Sequence, residues 1–122
     1  MPHFVIEYSA PSETSLAIDF AALMKQLGQA AADTGVMKLE DIKLRSIPFE
    51  SFRLNDGSRS FLHLTVSLLE GRTPQQKAAL ALTCRTTLVS LCPDINAISV
   101  DIRDMDGHAY KKRVSGGRPL LT

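Results

Sequence analysis

The chain has 122 residues, of which 44% are hydrophobic and 22% are charged, and this predicts a single globular domain over residues 1–122 rather than a disordered chain. Fourteen Lys and Arg residues against thirteen Asp and Glu residues give a formal net charge of +1, so the chain lacks the basic field typical of nucleic-acid-binding proteins. Its strongly apolar runs, such as residues 79–82, are far shorter than the roughly 20 residues that a membrane-spanning helix needs.

The first predicted elements are a strand and an amphipathic helix. Apolar and polar side chains alternate over residues 3–8, as they do in a strand with one buried face. The helix that follows is predicted to have Ser12 or Thr14 as its N-cap and Gly35 as a left-handed cap at its end. Its apolar stripe recurs at steps of three and four residues and consists of Leu16, Phe20, Leu23, Leu27 and Ala31.

A second strand is predicted over residues 42–46, where Lys43 and Arg45 share one face. Pro48 cannot donate a backbone hydrogen bond, so it confines the later part of this strand to an edge or a bend. The run Asn55-Asp56-Gly57-Ser58 is a strong turn signal, which predicts a hairpin or ribbon between the apolar segments on either side of it.

The second half of the chain begins with a strand over residues 61–69, which again alternates between apolar and polar side chains. The next helix has the clearest start signal in the sequence, with Thr73 as N-cap, Pro74 at the first helical position and Gln76 completing a capping box. Pro93 lies just beyond its predicted end, and its buried face is predicted to consist of Leu80, Cys84, Leu88 and Leu91.

A fourth alternating strand over residues 98–103 is followed by a turn at residues 106–107, a short segment around Tyr110 and a loose tail. The chain therefore reads as strand–helix–strand twice, in halves of about residues 1–59 and 60–122. We predict an α+β fold in which two β-α-β units form one four-stranded sheet with both helices on one face. The other face would be only partly polar, which favours oligomerisation.

The cysteines and the start of the chain favour a reduced, cytoplasmic protein. Cys84 and Cys92 are predicted to share a helix, where their spacing corresponds to a rise of about 12 Å. A disulfide bridges Cα atoms that are at most about 7 Å apart, so these two residues are expected to remain free thiols. Residues 1–4 lack the basic and apolar regions of a secretory signal.

Most kinds of reactive site have no strong signal in this sequence. His3, His63 and His108 are scattered without metal-ligand spacing, so no metal site is predicted and each histidine is interpreted as structural or incidental. Cys84 lies on the predicted apolar stripe and is interpreted as a core residue rather than a nucleophile. The sequence contains no G-x-S-x-G motif, no P-loop and no dinucleotide-binding fingerprint.

Pro2 is the candidate general base. Methionine before a small residue such as proline is normally removed after synthesis, which would expose a secondary amine at the tip of the first strand. An α-amino group has a pKa of about 7.7–8.0, and burial or neighbouring cations lower that pKa because they disfavour the protonated form. Such an amine is a neutral base near pH 7. A start of Met-Pro also occurs in proteins where the proline has no catalytic role.

Lys43, Arg45 and Arg72 are the candidate carboxylate-binding residues. Arg72 stands immediately before a predicted helix start, where a guanidinium fork and the helix N-terminus can converge on one anion. Solvated charges flanking a helix cap are the alternative interpretation of the same spacing. We expect Arg72 to be a surface residue whose replacement by Ala leaves thermal stability almost unchanged.

Together these features resemble the tautomerase superfamily and, within it, the 5-carboxymethyl-2-hydroxymuconate isomerase family. The resemblance extends over nearly the whole chain and weakens after about Asp104. It is carried by the sequence MPHFVIEYS at residues 1–9, IKLR at residues 42–45, FLHLT at residues 61–65 and GRT at residues 71–73.

The resemblance implies a homotrimeric enzyme of bacterial homoprotocatechuate degradation that moves a double bond in an unsaturated di- or tricarboxylic acid, without metal or cofactor. It implies that Pro2 takes the proton from the 2-hydroxyl of a dienol and returns a proton to the far carbon of the conjugated system. Arg72 would bind a carboxylate together with Arg45 and Lys43. The family pattern has an arginine at the position of Lys43. The family also has tryptophan after the second strand, where this chain has Phe49 and Phe52.

Two alternatives stay open from the sequence. One is another activity of the superfamily, hydration or dehalogenation of a small unsaturated acid. The other is a non-catalytic trimeric binding protein on the same fold, with Pro2 blocked or unperturbed. For the isomerase, the predicted partners are a small anionic unsaturated carboxylate and further copies of the chain, and neither nucleic acid nor a membrane.

Overall fold

The computed structural model describes residues 1–11 and 17–115. In chain order its elements are β1 (His3–Ser9), α1 (Phe20–Asp33), β2 (Lys43–Phe49), β3 (Phe61–Leu69), α2 (Pro74–Leu91) and β4 (Ala97–Met105), with a short 3-10 turn at Leu39–Asp41. The four strands form one sheet in the order β2-β1-β3-β4. β1 is parallel to β2 and β3 is parallel to β4, whereas β1 and β3 are antiparallel. The predicted pair of strand–helix–strand units is therefore confirmed.

Both helices pack on one face of this sheet, as predicted. In β3 the alternation of side chains buries Leu62, Leu64, Val66 and Leu68 completely and leaves the residues between them only partly buried. A period of two sends alternate side chains to opposite faces, so one face of the strand is apolar throughout. The helices cover it with the buried residues Leu23, Leu27, Ala31, Leu80, Cys84 and Leu88.

The predicted start of α2 is confirmed in its hydrogen bonds. The Gln76 N–H donates to the Thr73 hydroxyl oxygen at 3.1 Å, and the Thr73 N–H donates to the Gln76 side-chain carbonyl at 2.9 Å. Pro74 is the first helical residue, where its missing N–H leaves no hydrogen bond unmade. This cap fixes the position of Arg72, which directly precedes it.

α1 begins at Phe20, and its N-cap is Asp19, whose carboxylate accepts a hydrogen bond from the Ala22 N–H at 3.1 Å. The predicted caps Ser12 and Thr14, together with Leu16 of the predicted stripe, lie outside the described residues. At the other end the Gly35 N–H donates to the Ala32 carbonyl, and its φ is +79°. This left-handed conformation is the one predicted for the glycine, since it costs other residues energy.

The hairpin predicted around residues 55–58 is wrong. The turn itself is present, because Gly57 has a φ of +88° and its N–H donates to the Leu54 carbonyl at 3.1 Å. However, β2 and β3 do not pair with each other, since each lies against a different side of β1. The segment between them is a loop, anchored where the Phe52 ring meets the Phe61 ring edge to face at 5.3 Å between centroids.

The sheet face opposite the helices, called the outer face below, has no helix over it within the described part of the chain. The strand register places residues of all four strands on it. They include the apolar Val5 and Leu69, both half-buried, and Ile47, which is 44% exposed. The polar and charged residues of this face include His3, Glu7, Lys43, Arg45, His63, Thr65, Ser67, Ser99, Asp101 and Arg103.

The two cysteines are free thiols, as predicted, and both lie against the core, which was predicted for Cys84. Cys84 is on the inner side of α2, while Cys92 is the residue that caps the end of that helix. Within residues 1–11 and 17–115, no helix combines the length and the apolar character needed to cross a membrane.

Candidate active site

The start of the chain lies where three elements meet. The Pro2 carbonyl accepts a hydrogen bond from the Lys43 N–H at 3.0 Å, at the beginning of β2. On the other side of β1, His3 is opposite Ser67 near the end of β3. Pro2 is buried, and Met1 is only 8% exposed. The predicted base is thus inside the structure at one end of the sheet.

The amino group of Met1, at the start of the chain, has cations around it. Burial is the largest effect that lowers the pKa of the Met1 amino group, and the charge of Lys112 is the next. Asp41 acts in the opposite direction, whereas Arg72 and Lys43 lower the pKa further. Each cation disfavours the protonated amine. Two of the predicted carboxylate-binding residues therefore lie within electrostatic range of the chain start.

Arg72 is half-buried and joins two parts of the backbone. Its Nη1 donates to the Leu69 carbonyl at 2.9 Å, and its Nη2 and Nε donate to the Val36 carbonyl at 3.2 and 3.4 Å. These bonds connect the segment after α1 to the end of β3. The prediction of a surface arginine is therefore wrong, because the side chain is a structural link. The three bonds use three of its five N–H groups, which leaves one on each terminal nitrogen.

Arg45 lies on the outer face and contacts a histidine next to the chain start. Its Nη1 is 3.1 Å from Nδ1 of His3, and Nε2 of the same ring is 2.9 Å from the Tyr110 hydroxyl. The His3 and Tyr110 rings meet edge to face with centroids 5.8 Å apart. Burial lowers the pKa of His3, and the charges of Arg45, Lys43 and the chain N-terminus lower it further. These effects favour a neutral imidazole.

The segment after β4 turns back toward the chain start. The Ala109 and Tyr110 N–H groups both donate to the Asp106 carbonyl, at 3.1 and 3.0 Å. This turn sets Tyr110 against His3 and brings Lys112 near the amino group. Sequence reasoning missed Lys112 as a site residue. The signal that could have found it is the run of three basic residues, 111–113, shortly after the predicted turn.

Other reactive groups of the described residues lie in the core or are exposed at the surface. Burial raises the pKa of the Cys84 thiol to about 12, which supports its interpretation as a core residue rather than a nucleophile. Glu70, Asp106 and His108 bring possible ligand atoms within 4.8 Å of one another, but all three are exposed. Their exposure favours a surface cluster of polar groups over a metal site.

The sequence model of the 5-carboxymethyl-2-hydroxymuconate isomerase family matches residues 2–114 of this chain. The chain belongs to this family. The match includes Pro2 and all the elements of the sheet, and it ends just beyond Lys112. No curated protein is matched to the chain by sequence.

Solved structures of similar fold agree with this assignment. A 5-carboxymethyl-2-hydroxymuconate isomerase from Deinococcus radiodurans R1 has a TM-score of 0.77 at 18% identity, covering 92% of this chain and 88% of that one. Pt0534 inactivated by 2-oxo-3-pentynoate has a TM-score of 0.74 at 18% identity, covering 94% and 93%. The Q0 fused 4-OT symmetric trimer has a TM-score of 0.72 at 19% identity, also covering 94% and 93%. At these identities the similarity establishes the fold.

The structural role of Arg72 predicts a loss of stability on its removal. Arg72→Ala should lower the free energy of unfolding by about 1–3 kcal/mol, because two partly buried carbonyls lose their shared donor. Denaturant unfolding measures the change. Arg85→Ala, at an exposed position of α2, is the matched control and should change stability by less than about 0.5 kcal/mol. Equally small changes in both variants would contradict the structural link.

The position of Lys112 predicts an effect on the terminal amine. Lys112→Gln should raise the pKa of that amine, since it removes the strongest of the nearby charges that lower it. The amine would then stay protonated to a higher pH, which the pH dependence of its acylation rate measures. Lys25→Gln makes the same charge change at an exposed position on α1 and should leave the pH dependence of the acylation rate unchanged. Equal shifts in both variants would show a general charge effect instead.

Proposed function

We propose that this protein interconverts the dienol and keto forms of a small unsaturated di- or tricarboxylic acid, such as 5-carboxymethyl-2-hydroxymuconate, with the amine of Pro2 as general base and acid. The observation that carries the proposal is the buried chain start with Lys43, Arg72 and Lys112 around it, in a chain of this isomerase family. An amine in this environment supports proton transfer near neutral pH.

The proposed reaction is an internal transfer of one proton. Pro2, exposed by removal of Met1, takes the proton from the 2-hydroxyl of the dienol. The electrons of that O–H bond form the carbonyl, the double bonds shift by one position each, and the carbon at the far end of the conjugated system gains electron density. The protonated Pro2 then gives its proton to that carbon, so substrate and product have the same atoms and the same charge.

The backbone supports a fixed position for this amine. The Pro2 carbonyl is bound to the Lys43 N–H, and the proline ring fixes φ, so few rotations remain to the nitrogen. A base held in place needs less reorganisation when it accepts a proton. Removal of Met1 would open to substrate the space that the buried methionine side chain now occupies.

Arg72, Arg45 and Lys43 are the proposed carboxylate-binding residues. Arg72 keeps one N–H on each terminal nitrogen beyond those used by the backbone carbonyls. Lys43 binds a carboxylate as a point charge, whereas a guanidinium does so with a planar fork. As charge develops on the 2-oxygen, Arg72 and Lys43 also stabilise it. The substrate is therefore an acid with more than one carboxylate.

The acetylenic acid 2-oxo-3-pentynoate, with which Pt0534 was inactivated, provides a test of the proposed base. Its triple bond is electron-poor beside the carbonyl, so a neutral amine should add to it. We expect loss of dienol ketonisation, followed by ultraviolet absorbance, and one adduct on the peptide that begins at Pro2, located by mass spectrometry.

The matched control is the same chain with Met1 retained, in which the Pro2 nitrogen is an amide without basic character. It should have no measurable ketonisation activity, and Pro2→Ala should keep a reduced kcat because a primary amine remains. Full activity with Met1 retained, or an adduct on a lysine that accompanies inactivation, would contradict the proposed base. Hydration or dehalogenation without ketonisation would favour another activity of the superfamily.

The proposed assembly is a homotrimer in which the outer faces of the sheets face one another. Val5 and Leu69 make this face partly apolar, and Ile47 is 44% exposed there, which is typical of an interface. The Q0 fused 4-OT, which has a similar fold, is a symmetric trimer. The segment around Tyr110 borders the outer face through its contact with His3 and is proposed to contribute to the contacts between subunits.

A charged residue at the centre of the outer face should disrupt this trimer. Thr65→Arg places a guanidinium next to Asp101 in the isolated subunit, where it can be tolerated, but buries the charge when sheets face each other. We expect a monomer in sedimentation equilibrium at micromolar concentration. Thr86→Arg, at an exposed position of α2, should remain trimeric. A monomeric wild-type protein would overturn the proposed assembly.

A further inference from the structure

The hydrogen bonds of His3 determine which of its nitrogens carries the proton. A guanidinium has only donors and no acceptor, so the contact of 3.1 Å between Arg45 Nη1 and His3 Nδ1 requires a lone pair on Nδ1. The proton of the neutral ring is therefore on Nε2. Nε2 then donates to the Tyr110 hydroxyl oxygen, 2.9 Å away. The three side chains form one ordered chain of hydrogen bonds, directed from Arg45 through His3 to Tyr110.

This series of hydrogen bonds constrains the Arg45 side chain, which is long and otherwise has few restraints. Arg45 is exposed on an edge strand, where a free arginine would lose considerable rotamer entropy on binding a ligand. The His3 ring is fixed in turn by β1 and by its edge-to-face contact with Tyr110. The groups that face His3 are Lys43 and Arg45 from β2, the neutral Ser67 from β3, Tyr110 and the chain N-terminus.

We propose that His3 is a positioning residue that holds Arg45, through the lone pair on Nδ1, in the orientation that binds a substrate carboxylate, while Tyr110 fixes the His3 tautomer. This inference rests on the proposed function, because it assigns Arg45 to the substrate. It gives separate roles to the two ring nitrogens: Nδ1 acts on Arg45, and Nε2 acts on Tyr110. Only the first of these contacts affects substrate binding directly.

Two isosteric variants separate the two ring nitrogens. In His3→Asn the side-chain oxygen is bonded to Cγ, as Nδ1 is, so an acceptor for Arg45 remains and the donor to Tyr110 is lost. In His3→Gln the amide N–H reaches toward the place of Nε2, so the donor to Tyr110 remains and the acceptor for Arg45 is lost. Neither variant can carry a positive charge at this position.

We expect His3→Asn to keep KM for the dienol within about twofold of wild type and His3→Gln to raise it about tenfold, the effect of one lost hydrogen bond to a charged group. The change should appear in KM with kcat largely retained, since the contact binds ground state and transition state alike. Combined with Arg45→Gln, neither His3 variant should have a further effect. Equal KM values for the two variants, or a higher value for His3→Asn, would overturn the inference.

The resting enzyme provides a readout that needs no substrate. A long-range proton–nitrogen NMR spectrum should show His3 with its proton on Nε2, and Tyr110→Phe should weaken that preference. A proton on Nδ1 in the wild-type protein would overturn the inference while leaving the base at Pro2 unaffected. Conversely, if the wild-type protein ketonises no dienol, the proposed function is wrong, and the role of Arg45 is wrong with it. This result would not depend on any comparison of variants.

Discussion

The antiparallel pairing of β1 with β3 is the constraint on which the site depends. Each half of the chain has parallel strands, so β2 begins where β1 begins and β4 ends where β3 ends. Because β1 and β3 run in opposite directions, the start of β1 lies beside the end of β3. This topology alone brings the chain terminus, the first residue of β2 and the segment before α2 to one end of the sheet. Residues distant in sequence meet there without any long loop.

The cations at this end of the sheet have two consequences that support each other. In the free protein they lower the pKa of the Met1 amino group, because they disfavour its protonated form, and the same charges would act on a Pro2 amine. A bound carboxylate partly neutralises them, so the same amine becomes more basic once substrate is present. In the proposed reaction these cations would therefore favour the unprotonated base before binding, and the bound carboxylate would favour its protonated form afterwards.

Local signals in the sequence predicted local structure well. The alternation in β3 and the capping box of α2 involve neighbours in the chain, and both are present as predicted. The hairpin was wrong because a turn signal at residues 55–58 specifies a bend and not the partner of the strand that follows. The turn lies between β2 and β3 in the sequence, but in the sheet β1 lies between these two strands. Strand order depends on long-range packing, which a four-residue pattern does not contain.

The sequence was less informative about the site for the same reason. Pro2, Lys43, Arg45 and Arg72 could be selected as candidates from their chemistry and from the resemblance to a family. The approach of Lys112 depends on a turn after β4 and on the contact between Tyr110 and His3. The burial of Arg72 depends on two carbonyls, which have no signature in a sequence because every residue has one.

The hydrogen bonds from Arg72 to backbone carbonyls have an evolutionary consequence. Arg72 is bound to the main chain at Val36 and Leu69 and not to their side chains, so any of the twenty amino acids can supply the acceptors. Positions 36 and 69 are free to drift as far as this link is concerned, while position 72 is not. Homologous chains should therefore keep the arginine while the residues at positions 36 and 69 change. Covariation between pairs of positions would fail to detect the link, even though it connects two halves of the fold.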